Sequence, residues 1–377
     1  MKAKIDRFCE ILVTASCLGL FPISVPAQYG GGGGGNQGAS PTGYVQVNLT
    51  SDISSNAPNV EPRLVNPWGI VAGSQGIWVN NAETGFTTSY SASGRVMRFA
   101  INIPAPGGGQ GAPTGLVLND SRQFVISNAT RHAASTFLMS TEDGTITAWQ
   151  RSISVSNAVI VADRSASGAV YKGLAIARDT NGAPRIYAAD FHGGMVDMFD
   201  GQFHYVSSFT DTGVPDHFAP FNIRTIRGRL FVTFALQKLP EAKDDQPGPG
   251  NGFVDIFDTD GTLLRRFASQ GVLNAPWGLA VAPGNFGNLG GSLLVGNFGD
   301  GRINAFDLLT GKSLGPLKDP AGNPIVIEGL WGLTFEREAR EGRECDFTAE
   351  RLYFTAGING EADGLFGFIH AAGHGGH

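Results

Sequence analysis

The chain has 377 residues, of which 54 are glycine and 16% are charged, and its formal net charge is −6. Proteins that bind nucleic acids or anionic membrane surfaces need clusters of Lys and Arg, so this composition excludes both kinds of partner. The abundance of glycine favours turns and a repeated architecture.

The first 27 residues predict a secretory signal peptide. Lys2, Lys4 and Arg7 precede the apolar stretch ILVTASCLGLFPISV, and cleavage is expected after Ala27. This stretch is too short for a comfortable membrane span, and no second run of about 20 apolar residues follows. The sequence therefore predicts a secreted or periplasmic protein with no transmembrane segment.

Residues 28–43, QYGGGGGGNQGASPTG, have almost nothing to bury and are expected to form a flexible spacer. The folded domain is predicted to span residues 44–370. Residues 371–377 form a tail rich in His and Gly.

Six similar segments follow one another at intervals of roughly 50 residues, which is typical of a repeat architecture. Each segment opens with a small residue and an alternating apolar strand, and further strands follow after Gly or Asp turns. The small residues are Gly69, Gly115, Gly173, Asn222, Gly278 and Gly332. Four short strands per segment, with no credible helix, predict an all-β fold: a six-bladed β-propeller of four-stranded antiparallel blades.

The two ends of the domain are expected to close the ring. The sixth segment shows only three strands, whereas YVQVNLT at residues 44–50 is an alternating strand that belongs to no segment. The simplest arrangement pairs this N-terminal strand as the outer strand of the last blade.

The recurring small residues are assigned to the innermost strand, where a missing Cβ permits close approach of backbones. Trp68, Trp277 and Trp331 each precede one of these glycines. Two interpretations stay open for them: they fill space between neighbouring blades, or they form an aromatic platform that faces a ligand.

Motifs in one order across residues 44–370, including NPWGI, FLMSTEDGTITAW, LNAPWGLAVAP and LLVGNFGDGRINAFD, resemble those of a family of exported bacterial propeller proteins. At lower specificity the segments are similar to NHL-repeat, gluconolactonase/regucalcin-like and streptogramin-lyase-like propellers. The first resemblance implies the fold and export. The second implies a divalent metal or a small substrate at one mouth of the central channel, although a fold does not determine a function.

In a four-stranded blade, the entry to the inner strand and the loop between the second and third strands lie on the same face. Polar residues at these positions would form an oxygen-rich rim: Asn66, Asn274 and Glu328 before inner strands, and Asn80, Asn81, Asp190 and Asn297 at the ends of second strands. Ca²⁺ and Mg²⁺ accept such ligands, so Glu328, Asp190, Asn297 and Asn81 are the metal candidates. The alternative is that these side chains cap turns.

His192 and His217 lie in predicted connections near this face and are candidate general bases. The alternative for both is a solvent-facing loop histidine. An insertion from Gln237 to Gly252 in the fourth blade lies over the same rim, either as a lid or as a disordered loop. In a lid, Asp244 and Asp245 would disfavour anionic ligands.

Two functions follow from these observations. The first is an exported binding or scaffold module that holds a small molecule, a glycan or a protein at one mouth of the channel. The second is a divalent-metal-dependent lactonase, hydrolase or lyase, in which the metal polarises a carbonyl and activates water.

Overall fold

The structure, a computed structural model, describes residues 43–73, 76–335 and 350–373. The signal peptide (1–27), all but the last residue of the spacer (28–43) and most of the tail (371–377) lie outside the described residues, and these assignments stay predictions.

Two strands precede the first blade: β1 (Tyr44–Ser51) and β2 (Asn59–Val60). Blade 1 contains β3 (Pro67–Gly73), β4 (Gly76–Asn81), β5 (Phe86–Tyr90) and β6 (Val96–Asn102). Blade 2 contains β7 (Pro113–Leu118), a separate hairpin of β8 (Val125–Ser127) and β9 (His132–Ala134), then β10 (Phe137–Thr141), β11 (Thr145–Trp149) and β12 (Val159–Asp163).

Blade 3 contains β13 (Tyr171–Arg178), β14 (Pro184–Asp190), β15 (Met195–Phe199) and β16 (Tyr205–Phe209). Blade 4 contains β17 (Phe218–Ile226), β18 (Arg229–Leu236), β19 (Gly252–Phe257) and β20 (Leu263–Ser269). Blade 5 contains β21 (Pro276–Val281), β22 (Leu293–Asn297), β23 (Ile303–Phe306) and β24 (Ser313–Pro316), and blade 6 contains β25 (Leu330–Phe335), β26 (Arg351–Ala356) and β27 (Leu365–Ala371). Two 3₁₀ turns complete the elements, at Ser165–Ser167 and Gly287–Leu289.

In blades 1 to 5 the sheet is antiparallel and its four strands pair in chain order, as the sheet β3-β4-β5-β6 illustrates. The six recurring small residues all lie in the first strand of a blade, which confirms the predicted six-bladed propeller. Within the described ranges, a helix that could span a membrane is not found.

Neighbouring blades meet so closely at the axis that a Cβ would not fit. A Cβ on Gly278 of blade 5 would lie 2.6 Å from the carbonyl oxygen of Trp331 in blade 6, and a Cβ on Gly332 would lie 2.5 Å from that of Trp68 in blade 1. Real Cβ atoms do not approach other atoms to this distance. The predicted reason for the recurring glycine is therefore confirmed.

The N-terminal strand closes the ring, as predicted. β1 pairs antiparallel with β27 from Tyr44 opposite Ala371 to Ser51 opposite Leu365. The short strand β2, which the sequence analysis did not predict, adds a fifth strand parallel to β1. Tyr44 also ties this blade to blade 5, because its hydroxyl donates to the carbonyl of Phe286 at 3.0 Å and accepts from the backbone N–H of Leu289 at 3.0 Å.

The core is divided among the interfaces between blades. Trp78 of blade 1, for example, packs with Phe137 and Trp149 of blade 2. A blade between two neighbours buries both of its faces, so a middle strand such as β18 (RLFVTFAL) is almost continuously apolar. An outer strand such as β16 leaves Tyr205 and Val206 exposed.

The innermost strand of each blade has a free edge, and its backbone carbonyls need partners because unpaired buried acceptors are costly. Side chains of neighbouring blades supply the donors. The hydroxyl of Thr355 donates to the carbonyl of Trp68, and the amide of Asn222 donates to that of Trp277, both at 2.7 Å. These bonds join the blades around the axis.

Candidate functional site

One face of the ring carries both the entries to the inner strands and the loops between the second and third strands. A backbone hydrogen bond joins the two in every blade: Ala82 donates to Asn66 at 3.1 Å, Phe298 to Ala275 at 3.0 Å and Gly357 to Gly329 at 2.9 Å. The assumption behind the predicted rim is therefore correct. We call this side of the propeller the mouth face.

Just inside the mouth face, one residue per blade comes directly before the small residue of the inner strand. These residues are Trp68, Thr114, Lys172, Phe221, Trp277 and Trp331. All are buried. Lys172 is the charged member of this axial ring, in a position where other blades place an aromatic side chain.

The aromatic members pack against one another across the axis. Trp68 and Trp331 are stacked with centroids 3.4 Å apart, Phe298 stacks on the other side of Trp331 at 4.0 Å, and Trp277 meets Trp68 edge-on at 5.8 Å. The three tryptophans are 1–4% exposed. They therefore fill space, as the first of the two interpretations predicts, but they do so on the axis as well as between neighbouring blades.

Asn66 links this aromatic group to the mouth. Its backbone has φ of 46°, in the left-handed region that Asn tolerates better than most residues. Its Oδ1 accepts the indole N–H groups of Trp68 and Trp331, both at 3.0 Å. The Asn66 side chain is also hydrogen-bonded to the carboxylate of Glu361, in the mouth-face loop of blade 6.

A group of charges lies above the aromatic rings. Lys172 forms ion pairs with Glu142 and with Asp244, the latter at 3.6 Å, and its Nζ lies 5.0 Å from the centroid of the Trp68 ring. Asp245 and Glu361 also interact electrostatically with Lys172. We call these five residues the axial cluster, which contains one cation and four carboxylates.

Burial and the surplus of negative charge shift the pKa values of the cluster. Burial disfavours the charged form of Lys172, but Glu142, with Asp244 and Asp245, outweighs burial and raises its pKa. Burial, assisted by Glu361 and Asp244, raises the pKa of Asp245 to about 7 although Lys172 opposes the shift. Burial also raises the pKa of Glu361. Shifted groups of this kind, gathered at a cleft or mouth, are typical of functional sites.

The insertion of blade 4 brings Asp244 and Asp245 to the cluster. Gln237 and Asp245 pair as an antiparallel bridge at its base. Its turn is fixed to blade 3, where the Glu241 carbonyl lies 3.1 Å from the His192 ring, and the backbone N–H of Gly248 donates to the Asn274 side chain of blade 5 at 2.7 Å. The insertion is therefore an ordered cover over the mouth face, in line with the lid interpretation.

Two of the predicted metal candidates are buried asparagines with partly satisfied amides. Asn81 donates to the carbonyl of Phe86 and to the hydroxyl of Thr88, and Asn297 donates to the carbonyl of Val272 and to the Asp300 carboxylate. The Oδ1 atoms of both residues are buried and have no hydrogen-bond partner among the described residues.

The other two candidates have separate roles. Asp190 accepts hydrogen bonds from the backbone N–H groups of Val170 and Gly193, each at 3.0 Å, and burial raises its pKa. Glu328 is exposed and accepts from the backbone N–H of Gly360 at 3.2 Å. In the part of the chain that the structure describes, no three His, Cys, Asp or Glu side chains are placed to hold a metal ion. The proposed Ca²⁺ or Mg²⁺ site stays a prediction.

The two histidine candidates lie on the mouth face and are exposed. His192 is beside the insertion, and His217, with φ of 68°, leads the chain into β17. Their proposed role as general bases stays a prediction.

Sequence reasoning missed Lys172, Glu142 and Glu361. An alignment of the six inner-strand entries would have pointed to Lys172. At that position four other blades have Trp or Phe, and blade 3 has Lys. No comparable signal exists for Glu142 and Glu361, because they reach the cluster from loops that differ between blades.

Comparison with known proteins places the chain among viral relatives. It is 33% identical over 329 residues to the uncharacterized protein R648 of Acanthamoeba polyphaga mimivirus, a match that covers 85% of this chain and 78% of that protein. The mimivirus protein L690 is 34% identical over 329 residues, covering 85% and 84%. The chain belongs to the family of R648 and L690. No family model matches it.

Solved structures share the fold of this chain. A structural genomics protein of unknown function from Bacteroides thetaiotaomicron aligns with a TM-score of 0.53, at 11% identity, over 87% of this chain and 76% of that chain. Lyase- and gluconolactonase-type propellers also match, with TM-scores below 0.5. This likeness is one of fold alone. The resemblance to an exported bacterial family stays a prediction.

Proposed function

We propose that this protein is an exported binding module that takes its ligand at the mouth face, on the propeller axis. The observation that carries the proposal is the axial cluster. A ring otherwise built from aromatic and small uncharged side chains admits one buried Lys, and four carboxylates from three other blades converge on it.

The cluster is costly for the fold, which supports a functional role. Buried ion pairs contribute little net stability, because the loss of hydration offsets the attraction between the charges. An aromatic residue at position 172, as in other blades, together with uncharged residues in place of the four carboxylates, would serve packing at least as well. Groups kept in such positions against their stability cost are candidates for ligand recognition.

A ligand screen tests binding at the mouth. The mature domain is mixed with neutral, anionic and cationic small molecules and with soluble glycans, and thermal unfolding is followed. A ligand of the mouth should raise the melting temperature. The substitution Asp244→Arg, at an exposed position of the mouth face, should abolish the rise, whereas Asp120→Arg on the opposite face should leave it intact.

Two outcomes would contradict the proposal. Hits that Asp244→Arg leaves unaffected would place binding elsewhere, and turnover of a lactone or ester that depends on added Ca²⁺ or Mg²⁺ would favour the enzymatic hypothesis. Export is tested separately, by expressing the full chain in bacteria and measuring the mass of the periplasmic product, which should begin after Ala27.

A further inference from the structure

We propose that the ligand at the axial cluster is an organic cation, whose ammonium or guanidinium group lies between the carboxylates of Asp245 and Glu361. This inference rests on the function proposed above and names the class of ligand. It follows from the charge balance of the cluster, from one orphaned carboxylate oxygen and from the spacing of the acidic groups.

The axial cluster carries more negative than positive charge. The buried ammonium of Lys172 is committed to Glu142, to Asp244 and to the face of Trp68. Asp245 and Glu361 share that single cation only through longer electrostatic interactions. The cluster as it stands can therefore accept a second positive charge.

Asp245 gives an independent indication that the cluster binds a ligand with hydrogen-bond donors. Its Oδ2 is buried and has no hydrogen-bond partner among the described residues. Leaving a buried acceptor unpaired costs about 1–3 kcal/mol. A donor from a bound ligand would satisfy this atom, and an ammonium or guanidinium group supplies several N–H donors.

The spacing of the acidic side chains favours an organic cation over a metal ion. A metal needs its ligands within about 2.6 Å of one point, and the described acidic side chains do not converge in this way. An ammonium or guanidinium group is larger and directs its N–H groups outward, so it can join carboxylates that lie further apart.

The cluster is open to a ligand on one side. The side chain of Asp244 is 75% exposed, and Glu361 is half-buried. Glu83, Glu241 and Glu328 are exposed on the same face, and such a surplus of acidic groups attracts cations from solution. The insertion also carries the exposed residues Lys238 and Lys243, which reduce but do not cancel this charge.

Calorimetric titration at low ionic strength tests the ligand class. The probes are spermidine and n-butylammonium, with 1-butanol and butyrate as neutral and anionic analogues. We expect the two cations to bind and the two analogues not to bind. Asp245→Asn and Glu361→Gln, which keep the side-chain shape, should each weaken cation binding about tenfold or more. Asp120→Asn, with the same loss of charge on the opposite face, should leave it unchanged.

A second readout distinguishes direct contact from a structural effect. Because burial raises the pKa of Asp245 to about 7, a bound cation should displace a proton near neutral pH. Titrations in two buffers with different ionisation enthalpies measure this release, which Asp245→Asn should abolish.

Failure of this inference differs from failure of the proposed function. Equal binding of 1-butanol or butyrate that Asp244→Arg abolishes would overturn the organic-cation proposal while leaving a ligand at the mouth. Cation binding that Asp245→Asn and Glu361→Gln both leave unchanged would also overturn the organic-cation proposal, and the effect of Asp244→Arg would show whether that ligand lies at the mouth. If no compound of any charge bound at the mouth face, both proposals would be wrong.

Discussion

The ammonium of Lys172 lies 5.0 Å from the centroid of the Trp68 ring, across the axis of the propeller. Lys172 enters from blade 3 and Trp68 from blade 1, at the same position of the repeated inner strand. This contact joins the aromatic group that fills the axis to the carboxylates above it, as Asn66 does through its hydrogen bonds to the two indoles and to Glu361.

Replacing Lys172 by Met should destabilise the fold strongly. The substitution roughly keeps the length of the side chain but removes the charge that balances Glu142. Loss of one partner of a fully buried ion pair costs about 3–5 kcal/mol. Because the Glu142 side chain is 32% exposed, we expect a smaller cost of about 1–3 kcal/mol. Urea unfolding measures the change. Lys312→Met, at an exposed position, is the control and should cost less than about 0.5 kcal/mol. Equal effects of the two substitutions would contradict the assigned role of Lys172.

The proton held by Asp245 should make folding stability depend on pH. Its pKa rises from 3.8 in the unfolded chain to about 7 in the fold, so the folded state binds this proton more tightly. This contribution to the free energy of unfolding is complete below pH 3.8 and is lost as pH rises through about 7.

The measurement compares urea unfolding at about pH 5 and about pH 8.5. The unsubstituted protein should lose more stability between the two than the Asp245→Asn variant, which has no proton to lose. Parallel losses in the two proteins would show that Asp245 is ionised throughout this range.

The close approach of blades at the axis predicts that an added methyl group is not tolerated. Gly278→Ala would place a Cβ 2.6 Å from the Trp331 carbonyl oxygen and should cost about 2–3 kcal/mol. Gly284→Ala is the matched control, since a Cβ there meets nothing within 4 Å. Thermal unfolding of the two variants checks the difference, and a melting temperature for Gly278→Ala as high as that of the control would refute it.

Tyr44 should contribute to ring closure through its hydroxyl. Tyr44→Phe removes a donor to Phe286 and leaves the buried N–H of Leu289 without its acceptor, which should cost about 1–2 kcal/mol. Tyr205→Phe removes a hydroxyl from a side chain that is 43% exposed and should have little effect. Chemical denaturation compares them, and the prediction fails if Tyr44→Phe is as stable as Tyr205→Phe.

The blade pattern could be predicted from the sequence because local features specify it. Short apolar strands separated by Gly and Asp turns define each blade, and the small residue marks the inner strand, as Gly69 and Gly278 show. The unassigned strand from Tyr44 indicated ring closure by elimination. The short strand β2 was missed because two residues carry no periodic pattern.

The candidate site was harder to predict from the sequence than the blades. Asn66 and Asp190 were recognised as residues of the mouth face, yet the structure uses their oxygens to hold indole and backbone N–H groups. Asp244 and Asp245 were placed on the correct loop, but nothing in their spacing indicated a buried lysine beside them.

By itself the sequence determined the repeat, the number of blades and the face on which the loops gather, since each follows from patterns within about 50 residues. Only the tertiary structure decided that Lys172, Glu142, Asp245 and Glu361 form one cluster. They come from four different blades and meet only because the ring closes. Their proximity and shifted pKa values arise from burial and from charges distant in sequence, which no local pattern encodes.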